Sequence, residues 1–271
     1  MAEPLHTPAG TQRALGTVVN VQSITPRMRR ITLGGEQIAA FSRAPAADAP
    51  AAWVKLFLPS GEGRAYTLRS VDRQAGTLDI DLVLHGDAFN AKHENSTSAG
   101  GDGPASRWAA QARVGEQVAI AGPRSGGFAP PADTDWMMLA GDASALPAMQ
   151  SIAASLPGSA RVKAYVEIVD DGECQPMDSA ANWRTEWITA APGQPGQRLC
   201  QRLMYRPLPL GTGYLWMAGE SGAMRTLKMH FLDRGIARTQ LSTKGYWKSG
   251  EADHKDCLLY TSPSPRDVEE S

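Results

Sequence analysis

The sequence has no apolar run near the ~18 residues needed to cross a bilayer, so no membrane-spanning helix is expected. Its start, "MAEPLHTPAG", lacks a charged segment followed by an apolar one, so no secretory signal is read. Cysteine is scarce. The three present, Cys174, Cys200 and Cys257, are an odd number at wide spacings. They suit neither a disulfide framework nor a zinc site, and reduced thiols in a cytoplasm are expected. Neither sign of charge dominates: 27 Lys and Arg against 28 Asp and Glu leave a net charge of -1. That balance gives no overall pull toward nucleic acid or an anionic membrane, and neither is expected as a partner. His6, His85, His93, His230 and His254 show no metal-ligand spacing, so no metal site is expected. Phosphate-binding P-loops, serine nucleophile elbows and paired catalytic carboxylates are also missing.

What is present divides in two. Up to about residue 128 the chain offers some six short β-branched runs with turn signals between them, among them "LGTVVNVQSIT", "MRRITLGG", "AAWVKLFLP" and "EQVAIAG". That spacing predicts an antiparallel barrel or sandwich. Residues 87–102, "DAFNAKHENSTSAGGD", are polar and aperiodic and are expected to form a mobile surface loop. After the two prolines of "GGFAPPADTD" the pattern changes. "WMMLAGD", "RVKAYVEIVD", "WRTEWITA" and "GYLWMAGE" read as strands, alternating with helical stretches such as "ALPAMQSIAASLPG" and "SGAMRTLKMHFLDRG". Such alternation predicts a parallel sheet with crossover helices. The expected units are 12–128 and 133–253, followed by a disordered or non-native tail at 254–271.

Four stretches carry candidate chemistry. In "RAYTLRS", strand alternation puts Arg64, Tyr66 and Leu68 on one face and Thr67 and Arg69 on the other. An Arg for phosphate, a ring for stacking and a hydroxyl for a ring nitrogen form a plausible flavin set; the same residues also suit an exposed edge strand. In "GPASRWAAQA", Ser106 could cap a short helix and leave N–H groups facing outward, a seat for pyrophosphate or simply a capped helix. "LAGDASALPA" and "LWMAGESGAMR" each end an apolar strand in Gly and an acid, at Gly141-Asp142 and Gly219-Glu220. Ligands of parallel sheets sit at such strand ends, although neither stretch is the G-x-G-x-x-G fingerprint.

Taken together, "RAYTLR", "DIDLVLHG", "GPASRWA", "GDASALPA", "WMAGE" and "KGYWKSGE" resemble, in order and spacing, the siderophore-interacting proteins, the FAD-dependent ferric-siderophore reductases within the ferredoxin-reductase-like superfamily. The resemblance covers roughly residues 12 to 253. It implies a six-stranded antiparallel FAD-binding β-barrel followed by an α/β domain for NADPH or NADH. It also implies site roles. Arg64 would meet FAD phosphate, Tyr66 would pack against the isoalloxazine, Thr67 would hydrogen-bond near its N5, and Leu68 is a further cofactor-binding candidate on that strand. His85 and Gly86 would end the next strand beside the flavin, and Ala105 and Ser106 would hold the pyrophosphate. Asp142, Ala143 and Ser144 would face the nicotinamide, with Ala218, Gly219 and Glu220 as a second wall, and Tyr246 and Trp247 would cover the adenine or close the cleft. For an anionic ferric siderophore the basic candidates are Lys55, Arg124, Lys244 and Lys248. The implied activity is reductive release of ferrous iron in the cytoplasm by a monomer, with electrons from NAD(P)H or a ferredoxin. Two other readings stand beside it: a general FAD-containing NAD(P)H reductase with another acceptor, and a non-catalytic binder of iron chelates.

Overall fold

The computed structural model describes residues 13–86 and 103–249. The expected loop at 87–102 and the tail from 254 lie outside them. Six strands, β1 (Arg13–Thr25), β2 (Met28–Gly34), β3 (Trp53–Phe57), β4 (Gly63–Asp72), β5 (Thr77–Val83) and β6 (Gln117–Arg124), close into a barrel of order β1-β2-β5-β4-β3-β6. All six pairings are antiparallel, and β6 closes the ring by pairing with both β1 and β3. Closure removes the unpaired strand edges that an open sandwich would expose. The inward positions follow the two-residue period: Ile31 and Leu33, Val54 and Leu56, Leu78, Ile80 and Leu82, Val118 and Ile120 are all buried in one cluster. Two short helices pack on this cluster. Helix α1 (Glu36–Ser42) contributes Ile38, and α2 (Pro104–Gln111) contributes Ala105 and Ala109.

The second half forms a parallel sheet of β7 (Trp136–Asp142), β8 (Arg161–Ile168), β9 (Asn182–Thr189), β10 (Gly213–Glu220) and β11 (Leu241–Trp247), in the order β11-β10-β7-β8-β9. The fifth strand is the addition to the sequence reading, which took "KGYW" as a motif without a strand. Strand β7 is central and mostly buried, as its apolar run requires. Helix α3 (Leu146–Ser155) follows β7 and packs on one face with Leu146, Met149 and Ile152. Helices α4 (Gln197–Met204) and α5 (Ser221–Asp233) pack on the other face through Leu199, Leu203, Leu227 and Phe231. Adjacent strands β7 and β10 therefore send their helices to opposite faces. Their carboxyl ends, at Asp142 and Glu220, flank the crevice where open α/β sheets bind ligands.

Barrel and sheet share a core. Met28 and Ala51 of the barrel half belong to the same buried cluster as Leu139, Met149 and Trp216. Polar contacts also tie the halves together. Arg69 Nε donates to Gln150 Oε1 at 2.8 Å, the Ala51 N–H donates to Ser151 Oγ, and the Thr25 hydroxyl and Arg27 N–H both donate to the buried Glu173 carboxylate.

Candidate active site at the barrel–sheet crevice

Strand β4 keeps the alternation expected of it. Tyr66 packs against the barrel core and Arg64 lies two residues before it on the same face. Burial pushes the Tyr66 phenol well above its ordinary range, with the Arg64 charge opposing the shift. The other face looks at the sheet: Thr67 is buried and hydrogen-bonds the Tyr246 hydroxyl, and Arg69 reaches α3. Burial raises the Tyr246 phenol to about 12. Leu68 turns inward: its side chain is 2% exposed inside the barrel core and its N–H donates to the Ala52 carbonyl.

Strand β5 ends at Val83, so His85 and Gly86 lie just beyond it rather than at its end, where the sequence put them. The His85 N–H donates to Ser106 Oγ at 2.9 Å, which joins the end of β5 to α2. Ser106 does not cap that helix. Gly103 is the N-cap and Pro104 the first residue, so Ser106 lies inside the first turn, almost fully buried, and its hydroxyl serves His85. No side chain caps α2. The first-turn N–H groups of a helix have no intrahelical acceptor, which makes this end receptive to an anion. Ala105 itself packs into the core, so only its backbone is available to a ligand.

Across the crevice Asp142 is a hub. Its Oδ1 accepts from the Ser144 N–H and hydroxyl; its Oδ2 accepts from the Glu220 N–H at 2.9 Å and from Trp247 Nε1 at 2.8 Å. One carboxylate thus joins the ends of β7, β10 and β11. Burial raises its pKa, and the hydrogen bonds from Ser144, Trp247 and Glu220 oppose that shift. The close packing explains Gly219. At φ +148° a Cβ there would stand 2.6 Å from Asp142 Oδ2. Ala218 is fully buried within the sheet, so the second wall of the crevice is made by Gly219 and Glu220. Glu220 is turned inward as well, its carboxylate accepting from the Ala223 N–H to cap α5. Ala143 opens the single turn that carries Ser144. The Trp247 ring lies 6.4 Å from the His85 ring, centroid to centroid, so the last strand closes the crevice against the barrel.

The basic candidates are partly brought together. Strand β3 pairs with β4 so that Trp53 stands beside Thr67 and Lys55 beside Ala65. The Arg124 guanidinium lies 5.2 Å from the centre of the Trp53 ring, and Lys244 Nζ donates to the Ser125 carbonyl, which also accepts from Trp53 Nε1. Arg124 is the last residue of β6, not a member of the following turn. Arg124 and Lys244 therefore flank Trp53 next to the Thr67 position, whereas Lys55 Nζ lies 5.6 Å from the centre of the Phe57 ring, farther along β3. Lys248 is exposed just beyond the end of β11. Trp53 and Gln150 escaped the sequence reading, and Arg69 was placed on its strand face without a role. Trp53 carried one available signal, an aromatic two residues before a lysine on the strand preceding "RAYT".

These residues suit a flavin with its nucleotide tail. A ring-stacking tyrosine and a phosphate-seeking arginine share one face, a buried hydroxyl lies beside them, and an uncapped helix start adjoins the end of β5. Comparison with known proteins agrees. Residues 17–65 and 59–127 match the family model of the siderophore-interacting FAD-binding domain, and residues 134–250 match that of the siderophore-interacting protein. The chain belongs to the siderophore-interacting protein family. FAD is the cofactor of its barrel. The siderophore utilization protein from T. fusca superimposes with a TM-score of 0.74 at 31% identity, covering 90% of this chain and 95% of that one. Ferric vibriobactin reductase ViuB of Vibrio cholerae is 28% identical over 267 residues, covering 88% of this chain and 91% of ViuB. The mycobactin import ATP-binding/permease protein IrtA of Mycolicibacterium smegmatis is 28% identical over 252 residues. That match takes in 90% of this chain but spans only 27% of the transporter's length.

Proposed function

We propose that this protein reduces ferric siderophores through FAD held on the barrel, releasing ferrous iron, with NADPH, NADH or a reduced ferredoxin as donor. Bound FAD supplies the two-electron to one-electron conversion: one NAD(P)H and two ferric ions give NAD(P)+, a proton and two ferrous ions. The chain's own residues bind, orient and shield. Arg64 and the start of α2 hold the phosphates, and Tyr66 supports the ring system. Thr67, kept in place by Tyr246, presents its hydroxyl at the ring edge. Asp142 anchors Trp247 and Glu220 so that the crevice has a fixed wall against which a nicotinamide lies.

The observation that carries this reading is the placement of Arg124 and Lys244 around Trp53, immediately beside Thr67. It sets a positive, partly aromatic surface at the edge of the flavin strand, suited to a bulky anionic chelate. A ferric centre bound there needs no covalent contact with the protein. Reduction lowers the chelator's affinity for the metal and so frees it. No described helix is long and apolar enough to cross a membrane, and the reading places the reaction in the cytoplasm.

The test is spectroscopic. The FAD-loaded protein is mixed anaerobically with NADH or NADPH, then with a ferric siderophore and a ferrous-specific chelator. Bleaching of the flavin, followed by its reoxidation as ferrous chelate forms, is the expected result. Flavin that stays oxidised with both nucleotides points to a ferredoxin donor, and a protein that cannot take up FAD overturns the reading.

A further inference from the structure

A cavity of about 510 Å³ opens at the amino ends of β7, β8 and β9. These strands of seven or eight residues put it about 20 Å from their carboxyl ends and from the crevice. Its wall is apolar and partly aromatic, with Trp136 and Tyr165 on the sheet and Pro207 and Pro209 on the segment leaving α4. Trp136 is 5% exposed, yet its Nε1–H has no hydrogen-bond partner among the described residues. Buried indole N–H groups are ordinarily paired.

The charge around this cavity is one-sided. Arg161, Lys163, Arg184 and Arg206 line it, and no acidic residue does. Lys163 and Arg184 are register neighbours on β8 and β9, an arrangement of like charges that works against the sheet. The nearby Glu186 carboxylate is shared among Lys163, Arg202 and Arg206. Arg161 and Arg184 have no ion-pair partner among the described residues.

We propose that this cavity is a second ligand site, separate from the flavin crevice, for a small aryl carboxylate. The ring lies against Pro207 and Pro209, and the carboxylate accepts from Arg161 or Arg184 and from Trp136 Nε1. An arginine fork matches a planar oxyanion, the cavity has the size and apolar lining of a small-molecule site, and an oxygen acceptor there satisfies the unpaired indole donor.

The probe is 1-naphthoate, with the neutral 1-naphthalenemethanol as control, titrated into the FAD-loaded full-length protein by calorimetry and by NMR of 15N-labelled tryptophan. A saturable shift of one indole N–H signal with naphthoate is expected, absent with the alcohol and lost in Trp136→Phe. Arg161→Gln/Arg184→Gln alters two exposed side chains and leaves the fold in place. In that variant the calorimetric Kd rises about tenfold or more while bleaching of the flavin by NAD(P)H is unchanged. No saturable binding at millimolar naphthoate, equal binding by the alcohol, or an unaltered Kd in the double variant overturns the site. The calorimetric comparison stands even where Trp136→Phe fails to fold.

Discussion

The indole of Trp247 donates to the carboxylate of Asp142 at 2.8 Å, across 105 positions of sequence. This bond connects an edge strand to the central one at the point where the sheet faces the barrel. The same carboxylate holds the Glu220 N–H and the turn at Ser144, so the crevice wall depends on a single side chain.

Replacing Asp142 with Ala leaves four donors without an acceptor: the Ser144 N–H and hydroxyl, the Glu220 N–H and Trp247 Nε1. Each such donor costs about 1–3 kcal/mol, so a loss of several kcal/mol is expected in urea or thermal denaturation. The milder Asp142→Asn keeps the shape. Its NAD(P)H-driven flavin reduction is expected to fall while FAD stays bound, because the wall shifts but the barrel does not.

Asp142 also predicts a pH dependence. Burial holds its folded-state pKa above the ordinary carboxylate value. The folded chain therefore binds that proton more tightly than the unfolded one, and the group favours folding below its unfolded pKa. The advantage disappears as pH rises through the folded value. Stability of the parent relative to the non-titrating Asp142→Asn should decline as pH rises from about 4, the ordinary carboxylate value, through the raised folded-state value, read from paired urea midpoints. A difference that grows with pH would show that the hydrogen bonds to the charged form outweigh its burial.

Tyr246 and Thr67 tie β11 to β4. Tyr246→Phe and Thr67→Val each remove one partner of a buried hydrogen bond. A double-mutant cycle should return a coupling of roughly 0.5–1.5 kcal/mol. FAD retention on a desalting column should fall further in Thr67→Val, because the proposed function also sets that hydroxyl at the flavin edge, whereas Tyr246→Phe only loosens it.

Arg124→Gln and Lys244→Gln remove charge beside Trp53 without opening a core. Each is expected to raise the KM for an anionic ferric siderophore about 3- to 10-fold at low salt, with less effect as ionic strength rises. The rate of flavin bleaching by NAD(P)H should hold steady. An equal loss in both half-reactions would mean that these residues act on the flavin instead.

Glu173 closes a clasp between sheet and barrel, accepting from the Thr25 hydroxyl and the Arg27 N–H while 2% exposed. Glu173→Ala should cost about 2–4 kcal/mol, since two donors lose a charged acceptor. Limited proteolysis of that variant is expected to cut at the junction of barrel and sheet first.

Much of this was legible in the residues. The two-residue period of "RAYTLRS" sorted Tyr66 from Thr67 correctly, because a strand offers only two faces and pleating assigns them in turn. The apolar runs of β7 and β10 announced a buried parallel sheet for the same reason: both their faces are covered by helices. Strand β11 was harder to see. "LSTKGYW" is short, half polar and interrupted by glycine, and it becomes a strand by pairing with β10 and by the anchors of Tyr246 and Trp247. Ser106 also misled. Its place before "RWAA" looks like a cap by local rules, but Pro104 lets the helix begin earlier and leaves the serine inside the first turn.

The sequence by itself determined the strand faces, the division into a β half and an α/β half, and the residue types a flavin needs, because these depend on neighbours a few positions apart. Tertiary structure alone decided that the barrel closes and that Leu68 belongs to its core. It also decided that Asp142 collects donors from β10 and β11, and that Trp53 gathers Arg124 and Lys244 beside Thr67. Each of those outcomes joins residues tens to more than a hundred positions apart, and no local preference encodes such a meeting. It follows from the packing of a complete barrel against a complete sheet, where burial of the shared apolar face sets the position of every polar group at its rim.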